Sequence, residues 1–290
     1  MNPDDYVIAV RTYKRYESFK KLTYKTLEEN NLLDRLYIFV ADQQEYDLYK
    51  KSLDGCKYKA LVIGLPTGMG AKKAITHYFP VGQRIFFMDD DRGAFFHFTK
   101  DKKLIRRSTA LPQILEDGFK MIDDHSYGAF TVGCTTNKLY IGDKPFKEFT
   151  KTFLLGCNFG MRNDPDFIIQ DLDNSSGDDI CLTLRTWARY GGVFVYNWTG
   201  FTVETIGLLE GGLQASGDRG TEETRLEFTR QLWEDYMKTH PEMHDFIQCI
   251  QYNKKVKFYD LKFKSKPQIK KILQQRNIPI RWKAYDDWLI

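Results

Sequence analysis

Short apolar runs alternate with amphipathic stretches over residues 7–91. Four of these runs have the length and composition of buried strands: Val7–Val10, Leu36–Ala41, Ala60–Ile63 and Ile85–Met88. Apolar side chains at helical spacing predict three helices between them: one containing Phe19, Leu22, Thr23 and Leu27, one over 43–53, and one from Gly68 to Tyr78. The order β-α-β-α-β-α-β predicts an α/β fold with a mostly parallel sheet, flanking helices and right-handed crossovers.

The second half of the chain has a less regular pattern. It predicts a helix over 111–124, a strand over 128–133, a strand with glycine breaks over 153–161, a helix after the polar loop 171–179 and a strand over 192–196. Five glycines within 202–220 predict a mobile loop. A long amphipathic helix over 221–238, a strand within 256–264 and a helix that begins near Pro267 are expected to follow.

The composition, with 42% hydrophobic and 28% charged residues in 290, is that of a soluble globular protein. No apolar run approaches the roughly 20 residues that cross a bilayer, so we expect no membrane association. The first residues lack the basic stretch and the apolar core of a signal peptide. Five scattered cysteines without Cys-x-x-Cys spacing favour a reducing, cytoplasmic setting over a disulfide framework or a zinc site.

The net charge of +4 conceals a strongly basic C-terminal segment. Residues 251–283 contain eleven Lys or Arg and one acid, Asp260, whereas the remaining 32 basic and 38 acidic residues carry a net charge of −6. This separation indicates a polyanionic partner; a merely solvated basic face is the alternative. We predict a main domain over residues 1–245 and a basic extension over 246–290 that contacts nucleic acid.

Three consecutive carboxylates, Asp89 to Asp91, follow the fourth apolar run. Like charges at the end of a buried strand repel one another and lose hydration, so they require compensation. Mn²⁺ or Mg²⁺ would supply it, because hard cations take carboxylate oxygens and bridge to substrate phosphates. Side-chain alternation would direct Asp89 and Asp91 to one side and Asp90 to the other. The alternative is a polar junction between a strand and a loop.

Four polar segments are predicted to meet at one edge of the sheet. Ligands of open α/β sheets gather beyond the carboxyl ends of the strands, where the chain places residues 11–15, 41–43, 66–73 and 89–91. Together they offer basic side chains, a short acidic turn, a glycine-rich helix start and a candidate metal site. These are the groups that a nucleoside diphosphate requires.

Six motifs in this order resemble the GT-A glycosyltransferase superfamily. They are Val10-Arg-Thr-Tyr-Lys-Arg15, Ile38-Phe-Val-Ala-Asp42, Phe87-Met-Asp-Asp-Asp91, Gly156-Cys-Asn-Phe-Gly160, Asp178-Asp179 with Arg185 and Arg189-Tyr-Gly191, and Gly211-Gly-Leu-Gln214. Within the superfamily, the chain is most similar to the TET-associated glycosyltransferases, which include base J glucosyltransferases and bacteriophage enzymes that glycosylate hydroxymethylated DNA. The resemblance runs from about Ile8 to about Tyr236.

The resemblance implies a UDP-sugar donor held by Mn²⁺ or Mg²⁺ on Asp89 and Asp91. It also places the family's acidic pair on Asp178 and Asp179. In an inverting transfer, a carboxylate takes the proton of the acceptor hydroxyl; we assign this role to Asp179, with Asp178 orienting the sugar. Capping of the following helix is the structural alternative for this pair, and the two roles are compatible.

Further residues are expected at the donor. Arg15 and Lys72 are candidates for the phosphates, Asp42 for the base or ribose, Asn158 for the sugar and Gln214 for closure over the substrate. The remaining candidate donor-binding residues are Arg11, Thr12, Tyr13, Gly68, Asp89 and Asp90. By resemblance, His240 or His244 completes the metal site, although Pro241 interrupts that segment. Trp198 and Phe201 either stack on an acceptor base or, as is commoner for such residues, pack in the core.

These inferences lead to the hypothesis of a DNA glycosyltransferase. It would add glucose or arabinose to the hydroxymethyl group of 5-hydroxymethylcytosine or 5-hydroxymethyluracil, with the basic extension holding the phosphate backbone. One alternative is a GT-A enzyme with a polysaccharide, lipid or protein acceptor. A nucleotidyltransferase, which would release pyrophosphate, and a non-catalytic nucleic-acid binder are alternatives from other classes.

Overall fold

The structure is a computed structural model of the 290-residue chain. It describes residues 6–125, 128–133, 146–149, 154–167, 178–203, 230, 237–253, 258–280 and 284–285. The strands are β1 (Val7–Arg11), β2 (Leu36–Val40), β3 (Ala60–Ile63), β4 (Arg84–Asp89), β5 (Arg92–Phe98), β6 (Leu104–Ile105), β7 (Ala129–Gly133), β8 (Phe146–Phe149), β9 (Asn158–Arg162), β10 (Val193–Val203), β11 (Ile247–Asn253), β12 (Phe258–Phe263) and β13 (Ala284–Tyr285).

Helices separate the early strands as the sequence predicted. Helix α1 has three consecutive parts, Tyr16–Phe19, Lys20–Tyr24 and Lys25–Glu29, and its middle part is π-helical. The others are α2 (Gln43–Ser52), α3 (Gly68–Tyr78), α4 (Leu111–His125), α5 (Asp178–Tyr190), α6 (Met237–Thr239), α7 (Pro241–His244) and α8 (Lys266–Gln275). A 3₁₀ turn occupies Leu33–Arg35.

A parallel four-stranded unit forms one half of the main sheet. Its order is β4-β1-β2-β3, with Val10 opposite Met88 on β4 and Ile38 on β2. The carboxyl ends of β1 and β4 therefore lie side by side, and Arg11 is in register with Asp89. This part of the chain confirms the predicted β-α-β-α-β-α-β order and the α/β class.

The other half of the sheet is mixed. Strand β9 pairs antiparallel with β4 and with β7, and β7 pairs parallel with β10. Strand β10 extends to Val203, so the predicted loop does not begin at 202, and its second half pairs antiparallel with β5. The sequence pattern did not indicate β5, which begins at Arg92 directly after the turn formed by Asp90 and Asp91. Most strands of the sheet run in one direction.

Two apolar layers cover the two faces of the sheet. One contains Phe87, Phe159 and Trp187 with helices α3 and α5, and the Phe87 and Phe159 rings stack at 4.6 Å. The other contains Val10, Phe130 and side chains of α1, α2 and α4. These layers leave the carboxyl edge of β1 and β4 as the place where polar side chains collect.

Described residues of the predicted basic extension pack against the main core. The Trp187 ring on α5 lies 5.9 Å from the Phe246 ring and 5.4 Å from the Phe263 ring. Ile269 and Leu273 of α8 are fully buried in the same layer. Strands β11 and β12 form a separate two-stranded sheet. The boundary at 246 stays a prediction, and the described part beyond it shares a core with residues before it.

Among the described residues, no helix combines the length and the apolar character needed to cross a bilayer.

Candidate functional site

Three arginines compensate the three consecutive aspartates. Strand β4 ends at Asp89, and Asp90 and Asp91 form the turn into β5. Arg15 Nη1 lies 3.1 Å from Asp90 Oδ1 and 3.3 Å from Asp91 Oδ2. One guanidinium nitrogen thus contacts both Asp90 and Asp91, and the alternation expected for the three side chains stays a prediction. From the sequence we expected a divalent cation to compensate the negative charge of these aspartates. In this structure Arg11, Arg15 and Arg92 compensate it.

Arg11 joins the acidic turn to the start of helix α3. Its Nε donates to Asp89 Oδ1 at 2.9 Å, and its Nη1 donates to the Gly68 carbonyl at 3.0 Å. Burial raises the pKa of the Asp89 carboxyl, but Arg11, Arg92 and Lys72 outweigh it, so this pKa is lowered overall. Asp89 is therefore a carboxylate at neutral pH.

Asp90 lies in a different environment, inside a buried polar cluster. Its Oδ2 accepts a hydrogen bond of 2.7 Å from Thr12 Oγ1, which also contacts the Tyr49 hydroxyl. Burial, partly opposed by Arg15, raises the pKa of Asp90 to about 6. Asp90 is only 4% exposed and Thr12 only 6%, so this cluster lies on the inner side of the turn. Asp89 and Asp91 lie on its outer surface.

Arg92 and Thr23 hold the far side of the turn. Arg92 Nε donates to Asp91 Oδ1 at 2.8 Å. Thr23, in the π-helical part of α1, accepts from the Arg92 backbone N–H at 2.9 Å and donates to the Asp89 carbonyl at 2.8 Å. The Asp89 backbone N–H donates to the Cys157 carbonyl at 3.0 Å, which ties the turn to the start of β9. The turn is thus fixed from α1 and from β9.

Lys72 is a buried cation beside this turn. Helix α3 begins with a side-chain cap, in which Thr67 Oγ1 accepts from the Gly70 N–H at 3.0 Å. One turn further on, Lys72 is only 1% exposed, and its Nζ lies 5.8 Å from the centroid of the Phe159 ring. A buried lysine requires negative charge nearby, and Lys72 contributes to the lowered pKa of Asp89.

Gly156 is the point at which Lys72 and Asp179 meet. A Cβ at this glycine would lie 3.3 Å from Lys72 Nζ and 3.1 Å from Asp179 Cβ. Asp179 is partly exposed in the first turn of α5, where its Oδ1 accepts from the Ile180 N–H at 2.8 Å. This carboxylate therefore satisfies one of the N–H groups that the first turn of a helix leaves without a backbone partner. The fold also brings a carboxylate and an ammonium, distant in sequence, to one glycine near the acidic turn.

Asn158 is a buried amide opposite Met88, the residue before Asp89. It is 0% exposed, and neither its Oδ1 nor its Nδ2 has a hydrogen-bond partner among the described residues. An unsatisfied buried amide costs about 1–3 kcal/mol, so its presence calls for a reason beyond packing. A contact between Asn158 and the donor stays a prediction.

The donor chemistry of Asp89 and Asp91 fits a hard divalent cation. Their side chains are 23% and 20% exposed, and no hydrogen bond from a described residue reaches Asp89 Oδ2. No group of three or more His, Cys, Asp or Glu side chains arranged for metal binding occurs in the part of the chain that the structure describes. Two carboxylates suffice for Mg²⁺ or Mn²⁺ when substrate phosphates supply further oxygens. A third ligand from His240 stays a prediction.

The remaining candidate residues have varied surroundings. Tyr13 is partly exposed, with Lys14 Nζ 5.0 Å from its ring centroid, and Asp42 caps α2 by accepting from the Glu45 N–H at 2.9 Å. His240 precedes α7, and its Nδ1 lies 3.0 Å from Thr239 Oγ1. His244 is exposed. For these residues, roles in donor or metal binding stay predictions.

Two aromatic residues considered for stacking on an acceptor base lie in the core. Trp198 is 5% and Phe201 0% exposed, so the core-packing interpretation is confirmed for both. The Asp178 side chain, Gln214, the loop 204–220 and nearly all of the helix predicted over 221–238 lie outside the described residues.

Sequence reasoning missed three residues of the site: Thr23, Tyr49 and Arg92. Arg92 directly follows the aspartates, so its charge was a usable signal. Thr23 had been assigned to a helix by apolar spacing, and Tyr49 lies in the helix predicted over 43–53. A helical pattern does not show that the Thr23 hydroxyl reaches Asp89, 66 positions away, or that the Tyr49 hydroxyl reaches Thr12, 37 positions away.

No protein-family model and no curated protein sequence matches this chain. Among solved structures, it is similar to a mannosyltransferase of Pyrobaculum calidifontis in complex with GDP-Man and Mn²⁺, with 14% identity and a TM-score of 0.47 over 94% of this chain and 68% of that one. It is also similar to 4-diphosphocytidyl-2C-methyl-D-erythritol synthase of Anaerococcus prevotii, with 10% identity and a TM-score of 0.44 over 70% and 91% of the two chains. A third similarity is to GalNAc-T7 with UDP, GalNAc and Mn²⁺, with 11% identity and a TM-score of 0.41 over 96% and 55%. At these identities and TM-scores, the similarities do not establish a function for this chain.

Proposed function

We propose that this protein is a metal-dependent glycosyltransferase of the GT-A type. It transfers a sugar from a UDP-sugar to the hydroxymethyl group of 5-hydroxymethylcytosine or 5-hydroxymethyluracil in DNA, with inversion at the anomeric carbon. The observation that carries the proposal is the convergence of Asp179 and Lys72 at Gly156, beside the acidic turn that begins at Asp89. A candidate base, a buried cation and a hard-metal donor set thus occupy one edge of the sheet.

The donor diphosphate is recognised by charge in this proposal. Asp89 and Asp91 would hold Mn²⁺ or Mg²⁺, which would supply positive charge against the charge that develops on the departing UDP. Lys72 and Arg15 supply fixed positive charge on the protein side, and Arg11 keeps the Asp89 carboxylate in place through its 2.9 Å hydrogen bond. Preorganised charges of this kind act strongly because they require no rearrangement during the reaction.

The chemical step needs one protein base. Asp179 accepts the proton of the acceptor hydroxymethyl group as that oxygen forms a bond to the anomeric carbon. The bond from the anomeric carbon to the diphosphate oxygen breaks, and UDP leaves with the electron pair. The hydrogen bond from the Ile180 N–H to Asp179 Oδ1 orients this carboxylate.

Exposed lysines of the C-terminal segment support the nucleic-acid acceptor. Lys262 on β12 and Lys266, Lys270 and Lys271 on α8 are exposed, whereas Arg276 is engaged with Asp245 at 2.6 Å. Ile269 and Leu273 anchor α8 to the core, so its lysines project from a fixed helix. Such a surface fits the regular charge of a phosphate backbone.

The test is a donor screen with Mn²⁺ and a duplex that contains 5-hydroxymethylcytosine or 5-hydroxymethyluracil. Released UDP and the mass of the digested nucleosides are measured for each UDP-sugar. We expect a sugar-sized mass gain on the modified base, and its loss in Asp89→Ala and Asp179→Asn.

Each other outcome has a defined meaning. UDP release without a mass gain on DNA would retain the glycosyltransferase and reject the DNA acceptor. Pyrophosphate release would replace sugar transfer by nucleotidyl transfer. Full turnover by Asp179→Asn, together with an inactive Asp89→Ala, would reject Asp179 as the base.

A further inference from the structure

A cavity of about 250 Å³ lies between helix α1 and strand β5, apart from the residues assigned to the donor. Lys21, Lys25 and Glu29 line it from α1, and Arg107 lines it from the segment after β6. Gly93 and Ala94 of β5 and Thr202 of β10 are also part of the wall. Its volume lies just below the usual range of ligand pockets, so it fits one small polar group.

The cavity carries a net positive charge. Three cations line it against the single acid Glu29, which is paired with Arg107. Neither the Lys21 nor the Lys25 side chain has a hydrogen bond or an ion pair with any residue that the structure describes. The segment that carries both lysines is itself basic, since residues 11–25 hold six Lys or Arg against one acid, Glu17.

The wall that presents these cations is held in place by buried hydrogen bonds. Thr26 Oγ1 donates to the Gly93 carbonyl at 2.9 Å, and Thr23, between the two lysines, is bonded to Asp89 and Arg92. The π-helical turn Lys20–Tyr24 contains Lys21. Such turns occur frequently at functional sites. Lys21 and Lys25 are thus long side chains on a rigid support.

Gly93 leaves one part of the cavity wall without a side chain. A Cβ at Gly93 would lie 2.4 Å from Thr202 Oγ1, so a larger residue would not fit there without displacing Thr202. On the opposite side, Arg107 has a φ of 54°, a left-handed conformation that is costly for a residue other than glycine. The Ser108 N–H donates to the Phe95 carbonyl at 2.8 Å and fixes the segment that follows Arg107.

We propose that this cavity is an anion site that binds a phosphate group, either as free phosphate or as a phosphodiester of a polynucleotide. Lys21 and Lys25 supply the unpaired positive charge, and Arg107 supplies further donors when its pair with Glu29 opens. A tetrahedral anion suits both the size of the cavity and a set of donors that converge from two sides. This site does not depend on the proposed glycosyl transfer, because none of its residues is assigned to the donor or to the base.

The test uses the full chain and two probes, inorganic phosphate and an unmodified DNA oligonucleotide, each titrated by calorimetry. Lys21→Gln with Lys25→Gln should weaken phosphate binding at least tenfold. Glu29→Gln, which removes the single acid of the cavity wall, should strengthen it severalfold. A variant that is merely unstable would not bind more tightly, so the two opposite effects separate charge from folding. Lys50→Gln with Lys51→Gln, two exposed lysines on α2, is the matched control and should leave phosphate affinity within about twofold.

The oligonucleotide distinguishes the two sources of phosphate. If a phosphodiester is the ligand, the Lys21 and Lys25 double variant should also lower the slope of log affinity against log salt by about one to two. An unchanged slope with weakened phosphate binding assigns the cavity to free phosphate. Equal phosphate and oligonucleotide affinities in wild type and double variant, or an equal loss in the α2 control, would overturn the proposal.

Discussion

At the scale of single residues, the candidate site depends on what each side chain touches. Asp89 and Asp90 are neighbours of the same type, yet the pKa of Asp89 is lowered and that of Asp90 is raised to about 6. Arg11, Arg92 and Lys72 surround the first, whereas burial dominates for the second. Residue type and sequence position alone would have predicted similar pKa values for the two carboxyl groups.

Gly156 offers a direct test of the meeting of Lys72 and Asp179. In Gly156→Ala, the new methyl group would press on Asp179 Cβ at 3.1 Å and on Lys72 Nζ at 3.3 Å. Because small displacements of catalytic groups are costly, we expect kcat for UDP release to fall about tenfold or more, with little loss of stability.

Gly55→Ala is the matched control for this substitution. Gly55 has a φ of 73° with open space around it, so this variant should lose about 1 kcal/mol of stability and keep its activity. Equal activity of the two variants would contradict the proposed role of the Gly156 contact.

Asp90 predicts a pH dependence of stability. Its folded pKa of about 6 lies above the ordinary value of 3.8, so the folded state keeps a proton that the unfolded state releases. The contribution of Asp90 to stability is therefore complete below pH 3.8 and is lost as the pH rises through about 6.

Urea unfolding of the wild type and of Asp90→Asn from pH 4 to pH 7 checks this sign. The stability of the wild type relative to the variant should decrease by about 1–3 kcal/mol over that range and then level off. An increase with pH would mean that Arg15 keeps Asp90 ionised throughout.

At the scale of elements, helix α1 acts as a support for the acidic turn. Its π-helical part places Thr23 between the Asp89 carbonyl and the Arg92 N–H, which leaves both backbone groups satisfied although they are buried. The spacing of Phe19, Thr23 and Leu27 predicted a helix here, and that prediction is confirmed. The wider turn and the hydroxyl contacts depend on β4 and β5, which lie far away in sequence.

Replacement of Thr23 measures this support. Thr23→Val keeps the shape but leaves a buried carbonyl and a buried N–H unpaired, so we expect a loss of about 2–3 kcal/mol in the free energy of unfolding. Thr23→Ser keeps the hydroxyl, and its loss in the free energy of unfolding should be less than half of that of Thr23→Val. If chemical denaturation gave equal losses for both variants, the hydroxyl would contribute no more to stability than the methyl group, which would contradict the proposed support by hydrogen bonds.

At the scale of the whole molecule, the charge is divided between an acidic main part and a basic C-terminal segment. Helix α8 places Ile269 and Leu273 in the core beneath that segment, and its lysines at 266, 270 and 271 face away. The core position comes from helical periodicity, which the sequence displays. The packing partners, Trp187 among them, are set by the fold.

The basic surface predicts how DNA binding depends on salt. Replacing Lys266, Lys270 and Lys271 by Gln should weaken binding to duplex DNA and lower the slope of log affinity against log salt by about two to three. Hydrolysis of the UDP-sugar without an acceptor should not change, since these residues are not assigned to the donor.

A matched control separates the effect of the C-terminal lysines on DNA binding from the effect of net charge. Lys50, Lys51 and Lys59, exposed near the β3 edge of the sheet, can be replaced together by Gln, and this variant should retain the slope. If both triple variants changed the slope equally, binding would follow net charge and not the C-terminal surface.

The sequence by itself determined the α/β class, the first four strands with their helices, and the carboxyl-edge location of Arg11, Lys72 and Asp89. These follow from local periodicity and from the rule that parallel strands end at the same edge. Only the tertiary structure decided that arginines compensate the aspartates, that β9 enters antiparallel beside β4, and that Asp179 and Lys72 meet at Gly156. Such contacts join residues far apart along the chain, and no local pattern encodes their distance, because they depend on how whole elements pack.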